Sequence, residues 1–409
     1  STKAMKVLVI ASAFRPYSTG GADVAVENTV DGLLAHGHEV AVLTAGYASL
    51  LALWPKPESI PVISGSLTVY RYFPLNLFSF LTINQRPAWL RLPWHGLDIF
   101  SFHAYLVTAK LLSIIQPDVV LTHNLKGVGY TSILAVENYV RTHHCRHIHT
   151  LHDVQLAIPS GRIIQGEENA WQNTFWLTRW YGALCRKLFG SPQVVVSASQ
   201  FLLDFYVTRG FFPHSKQVLL LNPLQPREPA NFLSDPHGPL RLLYLGQLER
   251  HKGIMFLLRV FINLVSERPG VARLTVVGGG ALLSEVRKLA RDCPEVIVRG
   301  LVAHDVLPQV FSNIDATVFP SLCYENSPTI IGESLSFGVP VVAAQIGGVQ
   351  LVRHGENGYT FAPGDEADLR RVLDHCLSNR GELYGLRPQT FTSVKDLDID
   401  SYLTHLLNL

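Results

Sequence analysis

The feature that most constrains the fold of this chain is an alternation of short β-branched runs with helical repeats, which occurs twice. In the first half, KVLVIASA is followed by the helical repeat VAVENTVDGLLAHG, which Gly37 ends, and then by HEVAVLTAG. PDVVLTH, RHIHTLHD and QVVVSAS have the composition of three further strands. Strands that alternate with helices predict a parallel sheet with helices on both faces.

The alternation stops in a polar, proline-rich passage, QPREPANFLSDPHGP, which we interpret as a linker. It then begins again with LRLLYLGQL, LTVVGGG, VIVRG, ATVFPS and VPVVAA, and helices are expected at about Ile254–Glu267 and Ala281–Arg291. The sequence therefore predicts two doubly wound α/β domains, 1–225 and 226–390, with a ligand in the cleft at the carboxyl ends of their strands. A last amphipathic helix, within 391–409, is expected to pack back toward the N-terminal domain.

Composition narrows the class of protein. The chain has 409 residues, 47% of them hydrophobic and 16% charged, which is typical of a globular protein with more than one core. Lys and Arg are scattered and the net charge is +2, so no basic stripe for nucleic acid is expected. The five cysteines form no C-x-x-C pair, and no signal peptide or membrane span is evident. We therefore expect a protein of the cytoplasm, or of the inner face of the membrane.

An insertion rich in aromatic and basic residues interrupts the first domain: RYFPLNLFSFLTINQRPAWLRLPWHGLDIF, residues 71–100. The simpler interpretation is an irregular core or lid segment. Interleaved Trp, Phe and Arg side chains also suit a membrane interface or an acceptor groove. Peripheral contact with a membrane that carries a lipid-linked substrate is therefore the alternative.

Two carboxylates flank the helix start in CYENSPTIIGE. Ser327 is the predicted cap and Pro328 the first helical residue. Two carboxylates that cleave a glycosidic bond must flank it, whereas Glu325 and Glu333 lie close together across one strand-to-helix turn. We expect them to bind hydroxyl groups of a ligand beside the N–H groups of residues 326–330, and a solvated helix start is the structural alternative.

Glycine turns follow three of the predicted strands, where the backbone can approach a phosphate or a sugar. Gly20–Gly21 precede the first helix, and Gly278–Gly280 open another. In GQLERHKG, Gln247, Arg250 and Lys252 lie near a helix N-terminus, where a lysine adds to the attraction of the helix for anions. Plain turns and an exposed lysine are the structural alternatives.

Polar residues also follow two strands of the first domain. His123 and Asn124 in LTHN, with Asp153 in TLHD, are candidates for the acceptor side, and a structural role is the alternative. The nearby His143, His144, His147 and His149 raise the possibility of a metal site. Their spacing on a strand scatters them over both faces, and no carboxylate or cysteine pattern completes a site, so no metal is expected.

The segment from Glu325 to Glu333, with VFPS before it and SFGVPVVAAQIGGVQLVRHGENGYTF after it, resembles the retaining glycosyltransferases of family 4. Together with Gly20–Gly21, GQLERHKG and VVGGG, the likeness covers nearly the whole chain. It implies the GT-B fold, in which two Rossmann-like domains face a central cleft and the second holds most of a sugar nucleotide.

The resemblance also implies a role for each matching residue. Glu325 would contact hydroxyls of the donor sugar, Glu333 the ribose, and Lys252 the diphosphate. His152 would hydrogen-bond the donor sugar near the reacting carbon, so His152, Glu325 and Lys252 are the implied catalytic residues. The implied donor-binding residues are Gly20, Gly21, Gln247, Arg250, Gly279, Gly280, Gly300, Leu301, Val302, Asn326, Ser327, Pro328, Thr329 and Glu333.

Two positions depart from the family pattern. Gln247 stands where the family often has arginine, so one phosphate charge is missing unless Arg250 compensates, and Gln350 stands where many members have glutamate. The implied reaction is retaining transfer of a sugar from a UDP- or GDP-linked donor to a glycan or lipid-linked acceptor, in cell-surface polysaccharide or glycolipid synthesis. It needs neither a cofactor nor a metal. A nucleotide-sugar epimerase of similar fold and a non-catalytic sugar-nucleotide-binding protein are the alternatives.

Overall fold

The chain forms two compact units, each built on its own sheet. The first unit comprises Ser1–Arg162, Ala170–Pro223 and Ile399–Leu409, and the second comprises Ile163–Asn169 and Leu224–Asp398. The residues that this computed structural model describes are 4–18, 20–49, 52–62, 65–224, 235, 237–303 and 306–409. Most of the predicted linker, 225–239, therefore lies outside the described residues.

The first unit contains an eight-stranded sheet with the order β3-β4-β2-β1-β5-β6-β7-β8. Neighbouring strands are parallel except β3 and β4, which form an antiparallel edge. The apolar run Val7–Ile10 of the central strand β1 is fully buried, which explains why this strand is apolar on both faces. The strands are Lys6–Ala11 (β1), Glu39–Ala45 (β2), Lys56–Val62 (β3), Gly65–Tyr72 (β4), Val119–Thr122 (β5), Arg146–Leu151 (β6), Val194–Ser197 (β7) and Lys216–Leu219 (β8).

Helices cover this sheet, and the C-terminal helix is one of them. A Cβ atom on Gly32 would lie 2.9 Å from Cδ1 of Ile399, so the last helix packs closely on the first. The helices of this unit are Gly21–Ala35 (α1), Ala88–Ile99 (α2), Phe102–Ile115 (α3), Ser132–Thr142 (α4), Trp171–Thr174 (α5), Trp176–Phe189 (α6), Gln200–Val207 (α7) and, after the second unit, Ile399–Leu407 (α15).

The second unit contains a six-stranded, fully parallel sheet with the order β11-β10-β9-β12-β13-β14. The predicted doubly wound α/β class is therefore confirmed for both units. The strands of the second unit are Leu240–Leu245 (β9), Ala272–Val277 (β10), Val296–Gly300 (β11), Ala316–Phe319 (β12), Val341–Ala344 (β13) and Gly358–Phe361 (β14). Its helices are Ile254–Glu267 (α8), Leu283–Arg291 (α9), Leu307–Phe311 (α10), Thr329–Ser336 (α11), Glu366–Ser378 (α12), Arg380–Gly385 (α13) and Arg387–Val394 (α14).

The predicted domain limits differ from these units in detail. The chain leaves the first unit after Pro223 and returns to it at Ile399, rather than crossing at 225 and 390. The predicted C-terminal helix is observed as α15, which begins at Ile399 and belongs to the first unit. Just before it, the backbone N–H of Leu224 donates to the carbonyl of Leu397 (2.7 Å) and Leu224 bridges Asp398. This extended pairing separates α15 from α14.

The aromatic insertion at 71–100 forms regular helices, whereas the simpler interpretation of the sequence was an irregular segment. It contains a 3₁₀ helix, Phe80–Gln85, and all of α2. The buried Trp94 fixes α2, since its ring stacks on Phe78 and its Nε1 donates to the Phe78 carbonyl (2.7 Å). Among the described residues no single helix has the length and apolar composition of a membrane span; Trp89–Ile99 and Phe102–Ile115, bent by 43°, meet those criteria only as a pair.

Candidate functional site

The glycine turns after β9 and β10 pack backbone against backbone. Leu248 N donates to the carbonyl of Gly279 (2.9 Å), and a Cβ on Gly280 would lie 2.6 Å from the Leu248 carbonyl oxygen. A Cβ on Gly278 would lie 2.9 Å from the Gly246 carbonyl carbon. Side chains are excluded at these positions, so the carboxyl ends of these two neighbouring strands present a backbone surface.

Lys252 ends a 3₁₀ turn, Arg250–Lys252, between β9 and α8. Gly253 follows in the left-handed region (φ 74°), and a Cβ there would overlap the carbonyl of Pro320, with its carbon at 2.7 Å. Leu322 N also donates to the His251 carbonyl (3.0 Å). The turn that carries Lys252 is therefore packed on the segment that follows β12.

That packing brings Lys252 to Glu325. Lys252 Nζ donates to Glu325 Oε1 (2.6 Å), and Ser321 Oγ donates to the same oxygen (3.0 Å). The lysine side chain is 25% exposed and the glutamate side chain 17%, so the ion pair is partly shielded from water. The two residues of the second domain that the sequence predicts to be catalytic thus lie in direct contact.

The turn after β13 holds the backbone of Glu325. Gly348 N donates to the Glu325 carbonyl (2.6 Å), and a Cβ on Gly347 would lie 2.5 Å from that oxygen. Turns after β9, β12 and β13 therefore converge on one residue. The sequence prediction did not include Ser321, Gly347 or Gly348, although the glycine pair two residues after the strand VPVVAA was a usable signal.

The helix beyond Glu325 begins one residue later than predicted. Pro328 is its N-cap, with an extended ψ of 115°, and Thr329 is its first residue, so the assignment of Ser327 as cap was wrong. The first N–H groups of a helix have no acceptor within it and carry its positive end. Glu333 lies one turn further along α11 and is half-buried.

The remaining donor-side residues lie at the rim of these turns. Gly300 ends β11, and its carbonyl accepts from Gly278 N (2.8 Å). Leu301 is highly exposed and lies next to Gly279, whose Cβ would come 3.1 Å from Leu301 Cγ. Gln247 and Arg250 are both exposed on the turn that carries Lys252.

A strand-like segment from the first half of the chain belongs to the second unit and borders Glu325. Ile164 pairs antiparallel with Cys323, and Tyr324 N donates to the Ile163 carbonyl (2.9 Å). The hydroxyl of Tyr324 donates to Glu168 Oε1 (2.9 Å). Neither Glu168 nor its segment was predicted, because nothing local in the sequence indicates pairing with a loop about 160 residues away.

His152 lies in the first unit, in contact with a second histidine. Its Nε2 shares a hydrogen bond with Nδ1 of His123 (2.9 Å), and the rings stack at 5.1 Å. Burial lowers the pKa of His152 to about 4 and the pKa of His123 well below its ordinary value. Both rings are neutral at neutral pH, so His152 can give or accept a hydrogen bond but carries no charge.

Asn124 and Asp153, predicted for the acceptor side, bond to each other. Asn124 Nδ2 donates to Asp153 Oδ2 (3.0 Å), and Gln155 N donates to Oδ1 (2.8 Å). Burial raises the pKa of the Asp153 carboxyl. These contacts give both residues a part in fixing the loop that follows His152.

The Gly20–Gly21 turn begins α1, and its first N–H group already has an acceptor. Gly20 N donates to Asp23 Oδ2 (3.2 Å), while Gly21 is exposed. Asp23 was not among the predicted residues, although an acid in the first turn is a frequent capping signal. An anion at this helix end would meet that carboxylate.

The histidines of β6 form a hydrogen-bonded chain. His147 shares hydrogen bonds with Glu137 Oε1 (2.6 Å) and Thr122 Oγ1 (2.8 Å), and Thr122 also bonds His149 (2.9 Å). The expected scatter over both faces was therefore wrong for His147 and His149, which are two residues apart and share a face. Across the described residues, no group of three or more His, Cys, Asp or Glu side chains could hold a metal ion.

Comparisons with known proteins cover both units. The sequence model described as Glycosyltransferase Family 4 matches residues 19–226, and the one described as Glycosyl transferases group 1 matches residues 239–379. An uncharacterised glycosyltransferase of Methanocaldococcus jannaschii is 23% identical over 92% of this chain and 90% of its own length.

Solved structures show the same architecture. Sucrose-phosphate synthase from Thermosynechococcus elongatus superposes with a TM-score of 0.71 at 17% identity, over 99% of this chain and 98% of its own. Anabaena HepE in complex with UDP-glucose gives 0.65 at 16% identity, with the same coverage of 99% and 98%. The chain therefore has the GT-B fold, belongs to glycosyltransferase family 4 and is a glycosyltransferase.

Proposed function

We propose that this enzyme transfers a sugar from a nucleoside diphosphate sugar, linked to UDP or GDP, to an acceptor hydroxyl with retention of the anomeric configuration. The observation that carries the proposal is the contact between Lys252 and Glu325, at the meeting point of three strand ends and next to α11. A shielded cation, a carboxylate and a helix N-terminus together suit a ligand with both hydroxyl and phosphate groups.

In this proposal the two members of the pair divide the donor between them. Lys252 and the N–H groups that begin α11 stabilise the negative charge that grows on the leaving diphosphate. Both hydrogen bonds observed at the Glu325 carboxylate go to Oε1. We assign Oε2 to the hydroxyls of the donor sugar, so that Glu325 positions the sugar while it also holds Lys252.

The nucleoside is assigned to the glycine turns and to Glu333. Backbone around Gly279 and Gly280 allows close approach of the diphosphate, and Gly300 to Val302 border the base. Glu333, one turn inside α11, accepts hydrogen bonds from the ribose hydroxyls. The structure of Anabaena HepE with UDP-glucose supports a nucleotide sugar as the donor class.

The acceptor hydroxyl attacks the anomeric carbon on the face from which the diphosphate departs. As the new C–O bond forms, the bond to the diphosphate breaks, and the acceptor proton passes to an oxygen of the leaving phosphate. No separate general base is needed, and we propose no metal or organic cofactor. Neutral His152 hydrogen-bonds the sugar near the reacting carbon, where a positioned dipole stabilises developing charge.

We propose that the acceptor is a glycan or a lipid-linked molecule of cell-surface polysaccharide or glycolipid synthesis, used in the cytoplasm at the inner face of the membrane. All five cysteines lie within the described part of the chain, where they are buried and form no disulfide. Free thiols are usual in a reducing compartment, which supports that location.

The test begins with thermal shifts for a panel of UDP and GDP sugars, because a ligand that binds only the native state raises apparent stability. The stabilising donor is then incubated with and without acceptors, and the anomer formed is read by NMR. An α product from an α donor supports the proposal, whereas inversion refutes it. If the donor is epimerised in the absence of an acceptor, the epimerase alternative is favoured. If the donor binds but is never turned over, the non-catalytic alternative is favoured. Glu325→Gln serves as the matched inactive control.

A further inference from the structure

The outward face of α2 is apolar, which is unusual for a surface helix. Trp89 is 73% exposed, Leu92 63%, Leu97 44% and Phe100 59%. At 3.6 residues per turn Trp89, Leu92 and Leu97 lie on one face of the helix, and Phe100 directly follows its last residue. Two exposed side chains of α3, Phe102 and Leu106, extend it. We call these six residues the apolar surface.

The inward face of α2 carries the polar residue that a surface helix would normally expose. Asp98 is buried, and both its carboxylate oxygens accept from Gly127 N (3.1 and 3.0 Å). Trp94 is locked against Phe78 on the same inward side. The inner side of α2 thus buries a carboxylate together with Trp94 and Ile99, while three large apolar side chains of the same helix face water. Because the inner contacts fix its rotation, α2 cannot turn its apolar face inward.

Lys110 supplies positive charge at the edge of the apolar surface, because it lies one turn after Leu106 on α3. Between Tyr72 and Ile115 the sequence contains the basic residues Arg86, Arg91 and Lys110, and its single acid is the buried Asp98. Lys110 Nζ lies 4.9 Å above the ring of Trp54, which is itself half exposed. Aromatic side chains with lysine and arginine at their edge are typical of contact with anionic lipid head groups.

We propose that the apolar surface binds an anionic membrane, with α2 lying in the head-group region and its apolar side chains inserted. A lipid surface fits better than a protein partner because the exposed charges of the segment between Tyr72 and Ile115 are all basic and the apolar side chains protrude from a helix rather than line a groove. The consequence for catalysis rests on the proposed function: docking would deliver the first unit to a lipid-linked acceptor.

The experiment is co-sedimentation with vesicles of phosphatidylcholine, alone or mixed with phosphatidylglycerol. Wild type should sediment only with the mixed vesicles. Trp89→Ser combined with Leu92→Ser should weaken partition at least about tenfold, and Lys110→Gln about fivefold. The matched control, Trp176→Ser combined with Trp180→Ser, removes two exposed tryptophans from α6 of the same unit and should bind as wild type does.

Three results would overturn the proposal. The first is a loss of vesicle binding in the Trp176/Trp180 control as large as in the Trp89/Leu92 variant, and the second is equal binding of wild type to both vesicle types. The third is a lipid-free dimer, seen by sedimentation velocity, that the Trp89/Leu92 variant abolishes. If that variant fails to fold by circular dichroism, Leu97→Ser combined with Phe100→Ser replaces it. Thermal stabilisation by the nucleotide sugar should be unchanged in every variant. If no nucleotide sugar stabilised the wild-type protein, that result would count against the proposed function and not against membrane binding. Failure of the membrane proposal and failure of the proposed function are therefore distinguishable.

Discussion

Gly253 offers a direct test of how the lysine turn is positioned. It lies directly after Lys252 with φ 74°, and a Cβ atom would lie 2.7 Å from the carbonyl carbon of Pro320 and overlap its oxygen. Gly253→Ala should therefore push the turn away from the segment after β12. Gly270 is a matched control, because its φ of 76° is nearly identical and a Cβ there would meet no atom within 4 Å.

Both substitutions place an alanine in left-handed backbone, but only Gly253→Ala also creates a steric overlap. An alanine in the left-handed region costs about 1 kcal/mol at either site. Overlap in a packed region adds about 1–3 kcal/mol, which applies only to Gly253→Ala. We therefore expect Gly270→Ala to lower the free energy of unfolding by about 1 kcal/mol and Gly253→Ala to lower it by about 3 kcal/mol.

Urea unfolding followed by far-UV circular dichroism measures this difference, and thermal shift with the stabilising nucleotide sugar measures its effect on the site. Gly253→Ala should lose most of the donor-induced shift because Lys252 is displaced, while Gly270→Ala keeps it. Equal unfolding free energies for the two variants, or an intact donor response in Gly253→Ala, would show that this close packing does not position Lys252.

Three further predictions concern the site. Glu325→Ala and Lys252→Ala should each reduce sugar transfer at least about 100-fold while circular dichroism stays unchanged; near wild-type turnover in either would reject the assignment. Glu333→Ala should weaken donor binding about tenfold in calorimetry with a smaller effect on kcat; unchanged affinity would contradict contact with the ribose. Burial lowers the pKa of His152 to about 4, below its usual value of about 6.5, so the unfolded chain takes up the proton first and stability falls as pH drops from 6.5 to 4. His152→Asn should remove up to about 3 kcal/mol of that dependence, and an unchanged pH profile of the urea midpoint would exclude it.

Local sequence determined much of the fold. Buried parallel strands need continuous apolar runs, and helices between them need a 3.6-residue period, so β1, β5 and both ends of α8 could be predicted from short windows. The elements that escaped prediction lack those signals. β3 carries prolines at an edge, and β8 is mostly exposed.

The candidate donor-site residues could be proposed from the sequence because the family pattern is local: a carboxylate before a helix, a second within it, and glycine turns after strands. The contacts among these residues could not be predicted from the sequence. Lys252 meets Glu325 across 73 residues, and the segment Ile163–Asn169 joins the second unit beside Tyr324. Such contacts depend on which strand ends become neighbours, and strand order is a property of the whole sheet.

The same distinction explains α2. Its sequence by itself determined a helix-forming segment rich in Trp, Leu and Phe, which would suit a core, a lid or a membrane interface equally well. Only the tertiary structure decided which face of α2 is buried, because Gly127 binds Asp98 and Phe78 binds Trp94 on the inner side. Burial of those two side chains leaves Trp89, Leu92 and Leu97 no position except outward.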